Sequence, residues 1–369
     1  MVEQAILRDA RESCWRCYTC PVDAVTAHRL DEIPAALAAV EAAVEQGLVA
    51  VGYLAYEAAP AFDPALEVRE GCSLPLLAFG FFAPVGPSEP PLPAAGCRLG
   101  EWQPDTDRAS YEQAIAAIKE AIARGETYQV NYTLRLRASF EGDPYALARQ
   151  LWRAQPTSYG AWLDLGEQAI CSVSPELFFR REGDRLLSRP MKGTRPRGLT
   201  LEGDQALAAD LKAAEKDRAE NLMIVDMIRN DLGRVAELGS VEVPELFRVE
   251  RYETLWQMTS SVTARSRASL PALLGALFPC ASITGAPKVQ TMKLIAGLEA
   301  SPRGVYTGAI GFVSQQRTQF NVAIRTVQVD RRRGLAEYGV GGGVVWDSTA
   351  AGEYEEWRTK AMVLTARQP

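Results

Sequence analysis

Apolar positions recur at helical spacing from Ser110 to Arg124 (SYEQAIAAIKEAIAR), which predicts a helix with Ser110 as its N-cap and Gly125 closing it. Tyr128 to Arg137 (YQVNYTLRLR) alternates instead, as a strand does. Tyr145 to Ala154 reads as a second helix, and Tyr159 to Asp164 and Ala169 to Val173 as short strands. Leu177 to Ser188 (LFFRREGDRLLS) carries apolar runs on both sides of Glu182-Gly183-Asp184, a hairpin turning at Gly183. That turn sets Glu176 opposite about residue 190, within ~7 Å of Lys192. Lys192 lies in PMKGTRPRG, where Gly193 and Gly198 free the backbone and Pro190 and Pro196 restrict it, the composition of a shaped loop.

Asp210 to Val235 is helical in propensity and broken only by Gly233. Leu222 to Ile228 is apolar around most of the circumference, which predicts a buried turn. Asp226, Arg229 and Asn230 then satisfy one another there as a structural network, and Glu220, one turn earlier, can point into a cavity. Near the C-terminus, Val305 to Val313, Phe320 to Val329 and Leu335 to Val340 read as an antiparallel meander, with Arg325 on the unpacked face of the second strand. Gly341-Gly342-Gly343 leads to a helix capped by Asp347 or Ser348. On that helix Glu353, Glu356 and Lys360 share one face, while Tyr354, Trp357, Ala361 and Leu364 form the packing face.

Composition narrows the chemistry. The chain has 369 residues, 47% hydrophobic and 23% charged, which is normal for a folded globular protein. Forty basic and 46 acidic residues give net charge -6, so no overall positive field gathers nucleic acid or anionic lipid. A single histidine, His28, excludes His dyads, triads and His-rich metal sites. No apolar run approaches ~18 residues, and the acidic N-terminal stretch is unlike a signal peptide, so the expected compartment is the cytoplasm. The seven cysteines are scattered and read as reduced thiols. Cys14, Cys17 and Cys20 have part of an iron–sulfur spacing without its fourth cysteine, and ordinary thiols are the preferred reading.

No P-loop is present. What remains is a set of carboxylates (Glu176, Glu220, Glu353, Glu356), cations (Lys192, Arg325, Lys360) and Gly-rich segments, suited to one hard divalent ion and a small anionic substrate. Separate salt bridges are the plainer alternative.

The ordered strings SPELFF, PMKGTRPRG, RAENLMIVDMIRNDLGRV, ETLWQMTSSV, FPCASITGAPKVQTMKLI, GVYTGAIGF, FNVAIRTV and YGVGGGVVWDSTAAGEYEEWRTK resemble the chorismate-utilising enzymes. GYLAYEAAPAFD is similar to a stretch of short aminodeoxychorismate synthases. The resemblance implies an α+β fold, a sandwich of antiparallel β-sheets covered by outer helices. The Pro-rich stretch 84–96 separates an N-terminal segment, 1–97, that packs onto a chorismate-binding catalytic domain, 98–369, the two interwoven as one unit.

By matched motif, Glu220 and Glu356 hold Mg²⁺. Arg325, Tyr306, Lys360 and the backbone at Gly193, Thr194, Gly342 and Gly343 hold the substrate's carboxylates. Lys192 in PMKGT and the lack of histidine in ETLWQMTSSV point to amination of chorismate at C4. There Lys192 is the covalent nucleophile and Glu176 the general acid. The chain lacks a Cys-His-Glu glutaminase constellation, so the resemblance implies ammonia from a separate glutamine amidotransferase subunit. The alternatives are anthranilate synthase component I and a catalytically silent chorismate-binding protein.

Overall fold

Val49–Leu54 (VAVGYL) is buried at every position because the strand lies between two cores. Val49, Val51 and Tyr53 enter one core, while Ala50 and Leu54 enter the other. Leu77–Phe82 divides in the same way, Ala78 and Phe82 against Leu77, Phe79 and Phe81. Alternating side chains of a strand point to opposite faces, so a strand covered on both faces reads as one continuous apolar run.

The computed structural model describes residues 1–252 and 255–364. Two antiparallel sheets carry the chain. One runs Gly285–Ala286, Gln129–Gly142, Leu335–Val344, Thr326–Asp330, Gln168–Ser172, Ala161–Asp164, Gln4–Asp9, Cys14–Thr19. The other runs Met191–Pro196, Leu255–Arg265, Arg185–Arg189, Leu177–Glu182, Arg317–Val322, Ala309–Val313, Val49–Leu54, Leu77–Phe82, Asp23–Ala27. A core that includes Ala5, Leu7, Leu163 and Ile170 of the first sheet with Val51, Tyr53, Ile310 and Phe312 of the second joins them face to face.

Ile33–Glu45, Glu215–Gly233 and Leu270–Leu277 cover the outer face of the second sheet. Arg108–Ala123, Pro144–Ala154 and Ala350–Ala361 cover that of the first. The expected sandwich under outer helices is therefore the observed architecture. Segment 1–97 supplies strands to both sheets, and the Pro-rich stretch passes from the second sheet to Cys97–Leu99, which pairs with the Gln129–Gly142 strand.

The hairpin at Gly183 forms as expected, with Leu177 opposite Arg189. Several expectations need correction. The first long helix spans Arg108–Ala123 and is capped by Asp107, whose side chain accepts from the Ser110 amide at 2.7 Å. The predicted loop around Lys192 is a strand, Met191–Pro196, paired with Leu255–Arg265. The helix read over 210–235 is two helices, Leu201–Ala213 and Glu215–Gly233, separated at Ala214. Both pack on the Met191–Pro196 and Leu255–Arg265 strands, a tertiary demand that helix propensity does not register.

Leu222 and Asp226 are exposed, so the Asp226–Arg229 ion pair at 2.8 Å is a surface pair and not a buried network. Asn221 and Asp231 are the buried polar residues of that helix. Phe320 to Val329 is not one strand of a meander. Arg317–Val322 belongs to the second sheet and Thr326–Asp330 to the first, so the chain changes sheets at 323–325. Arg325 sits at that crossing with φ +50°. Gly341–Gly343 lie within Leu335–Val344, and the following helix is capped by Thr349, not by Asp347 or Ser348.

Candidate active site

The predicted meeting of Glu176 and Lys192 is present, and Ser282 mediates it. The Ser282 hydroxyl donates to Glu176 Oε1 at 2.7 Å, and Lys192 Nζ donates to the Ser282 carbonyl at 3.4 Å. Glu176 is buried at the start of the hairpin. Burial pushes its carboxyl up to about 7, although the Ser282 hydrogen bond and the charges of Lys192 and Arg325 favour the carboxylate. A carboxyl that keeps a share of its proton near neutral pH, beside an amine, is the pairing that general acid and nucleophile require.

Gly342 and Gly343 form the floor. A Cβ on Gly343 would lie 2.7 Å from Gln129 Nε2 and 3.5 Å from Lys192 Nζ, and one on Gly342 2.9 Å from Glu353 Oε2 and 3.2 Å from Glu356 Oε1. A side chain at either position would press on the Gln129 amide and the Glu353 carboxylate, while Lys192 would stay in ordinary contact. Glu356 accepts from Lys360 Nζ at 2.7 Å, and Lys360 also donates to the Gly341 carbonyl at 2.9 Å. Burial raises the Glu356 carboxyl, but Lys360, Lys192 and Lys216 outweigh it and leave it lowered.

Glu220, on the Glu215–Gly233 helix, is raised chiefly by burial, with Asp217 and Glu356 adding to the rise and Lys192 and Lys216 opposing it. Glu353 accepts from the Ser348 hydroxyl at 2.6 Å through Oε1, while its buried Oε2 has no hydrogen-bond partner among the described residues. Oxygen donors and the unsatisfied buried oxygen of Glu353 suit a hard divalent cation such as Mg²⁺ in their chemistry, but Glu220, Glu353 and Glu356 do not gather their carboxylate oxygens within 4.8 Å of one another.

Arg325 reaches a small cavity lined by Met191, Tyr252, Gln257 and Gln155. Gly193 has φ +83°, and a Cβ there would lie 2.9 Å from Asp217 Cβ, so the position requires glycine. The exposed Thr194 donates its hydroxyl to Gln257 Oε1 at 3.1 Å. Tyr306 is placed differently. Its ring lies 4.8 Å from the Arg135 guanidinium and packs on Gly339, beside a buried cluster of Arg135, Glu299 and Arg303.

Gln129, Ser282, Gln257 and Asp217 were not singled out by sequence reasoning. Gln129 is fully buried, and neither polar atom of its amide has a partner among the described residues. Its place on the polar face of an alternating strand gives no sequence signal; burial of that face in the structure is what reveals it. Ser282 lies inside the FPCASITGAPK string but is recognisable only once Glu176 folds against it.

The sequence model of one family, described as chorismate binding enzyme, matches residues 85–366. Aminodeoxychorismate synthase of Streptomyces griseus is 47% identical over 281 residues, which is 75% of this chain and 38% of that protein. Aminodeoxychorismate synthase component 1 of Salmonella typhimurium is 43% identical over 258 residues, 69% of this chain and 56% of that one. The chain thus spans well under two thirds of the length of either. Proteins named anthranilate synthase component 1 are among its relatives as well. Among solved structures, anthranilate synthase component I from Streptococcus pneumoniae superposes with TM-score 0.80 at 24% identity, over 99% of this chain and 90% of that one. The sandwich fold agrees with that of the solved structure, and the match over most of the sequence shows the family: this chain belongs to the chorismate-binding enzyme family.

Proposed function

We propose that this chain aminates chorismate at C4 to give 4-amino-4-deoxychorismate, using ammonia from a separate glutamine amidotransferase subunit. The observation that carries this reading is the convergence of Glu176 and Lys192 on Ser282, an acid pushed up to about 7 beside an amine. The Lys192 amine attacks C2 as both ring double bonds shift and the C4–O bond breaks. Glu176 gives its proton to the departing hydroxyl, which leaves as water. Ammonia then attacks C4, both double bonds shift back, the Lys192 amine is expelled from C2, and the proton shed by the new ammonium returns to Glu176.

Gln129, a neutral amide beside Lys192, suits an ammonia nucleophile because it neither protonates ammonia nor deprotonates water. Arg325 and Lys360, with the backbone at Gly193, Thr194, Gly342 and Gly343, fit the substrate's two carboxylates. Tyr306, packed on Gly339 of the strand that carries Gly342 and Gly343, is taken as a further contact for them. Glu220 and Glu356, with Glu353 and Asp217 near them, would hold Mg²⁺, which when bound supplies a fixed positive charge for the ring carboxylate. The relatives named component 1 support a partner subunit.

The test is chorismate, ammonium and Mg²⁺ with the purified chain, products separated by chromatography. A C4-aminated product with pyruvate retained is expected. Anthranilate with released pyruvate would overturn the reading, and no turnover at all would favour the silent binder. Glutamine should support turnover only when an amidotransferase is added.

A further inference from the structure

We infer that Gln257 is a positioning residue that aims Lys192 into the site by clamping a β-bulge. The inference rests on the proposed role of Lys192 only for its kinetic consequence. Met191 pairs with Thr259 and Thr194 with Gln257, so two residues, Lys192 and Gly193, face the single residue Met258. That count defines a bulge, and its second residue, Gly193, has φ +83°. A bulge interrupts the ladder and re-aims a side chain, but it leaves backbone groups without their usual partner.

The Gln257 side chain satisfies one of these groups and ties down the next side chain. Its Nε2 donates to the Gly193 carbonyl at 2.7 Å, and its Oε1 accepts from the Thr194 hydroxyl at 3.1 Å. Gln257 is 5% exposed, so solvent does not take over either bond. The opposite wall is fixed as well: Asp217 lies against the Cβ position of Gly193 and is ion-paired with Arg195 at 3.1 Å. Lys192 leaves this clamped bulge toward the Ser282 carbonyl. The amide is suited to the task because one planar group offers a donor and an acceptor together. A glutamate keeps the shape and the Thr194 bond but loses the donor to Gly193. A leucine keeps the bulk and loses both.

The experiment compares wild type, Gln257→Leu and Gln257→Glu in two ways. Steady-state kinetics with chorismate, ammonium and Mg²⁺ reads the consequence. Limiting acetylation with peptide mass spectrometry reads the placement of the Lys192 amine directly, with the exposed Lys293 as internal reference.

For Gln257→Leu we expect kcat to fall by about a hundredfold with KM for chorismate within about threefold, and Lys192 labelling relative to Lys293 to change by at least about threefold. Gln257→Glu should recover part of the loss, to about a tenfold deficit. If Gln257→Leu does not fold, Gln257→Glu carries the same comparison. Unchanged Lys192 labelling, or a kcat within about twofold of wild type, overturns the inference. Should Lys192→Arg retain turnover, the nucleophile reading falls separately, and the labelling alone then decides the placement of Lys192.

Discussion

Ser282 donates its one hydroxyl hydrogen to Oε1 of Glu176 at 2.7 Å, and the same residue's carbonyl accepts from Lys192 Nζ. A single residue of the short helical turn Ala281–Ile283 thus holds the acid and the amine in register, although Glu176 precedes the Leu177–Glu182 strand and Lys192 lies in Met191–Pro196. The proposed chemistry depends on that meeting.

Replacing Lys192 removes both a nucleophile and its placement. Lys192→Ala should lose 4-amino-4-deoxychorismate formation by about a thousandfold or more, read by product chromatography. Lys192→Arg should fail as well, because guanidinium stays protonated. Wild type with chorismate and Mg²⁺ but no ammonia should show a substrate-derived mass adduct on the Lys192 peptide. Near-normal turnover by Lys192→Arg without any adduct would reduce the lysine to an electrostatic contact.

The carboxylate cluster predicts a metal requirement. Activity with ammonium should disappear in excess chelator and return with Mg²⁺. Glu220→Ala and Glu356→Ala should each lose most of it while keeping the wild-type circular dichroism spectrum. Full activity in chelator refutes the metal role.

Glu176 carries a pH signature in stability. Its carboxyl is raised by burial to about 7, above its unfolded value, so the folded state binds an extra proton between about 4.5 and about 7. Stability from this group is present below about pH 4.5 and is lost as pH rises through about 7. Glu176→Gln should abolish that loss, worth about 3 kcal/mol, in urea unfolding compared at pH 5 and pH 8. Equal pH dependence in wild type and variant would show that the carboxyl is not raised.

The buried cluster beneath Tyr306 should matter far more than the surface pair. Arg303 binds Glu299 at 3.0 and 2.7 Å, with both side chains nearly inaccessible. Glu299→Ala leaves a buried guanidinium without its partner and should cost about 3–5 kcal/mol in denaturant unfolding. Asp226→Ala, at an exposed pair, should cost less than about 0.5 kcal/mol. Similar costs for the two variants would contradict this account of the burial.

What the sequence determined by itself is local or written in motif. The Gly183 hairpin, the packing face of the last helix and the apolar faces of the first helices follow from periodicity and turn residues, which depend on neighbours in the chain. The ordered strings identified the family and most of the carboxylates and cations that gather at the site.

Tertiary structure decided the rest, because it depends on partners distant in sequence. Phe320 to Val329 reads as one strand, but the left-handed backbone at Arg325 carries it from one sheet to the other. Leu222 to Ile228 reads as buried, yet Leu222 and Asp226 face solvent, because apolar composition does not say which faces the sheet covers. Gln129, Ser282 and Gln257 are ordinary polar residues until a glycine floor, a buried carboxyl and a bulge are placed against them. Pattern along the chain fixes which side chains a strand turns inward, and only packing fixes what each of them meets there.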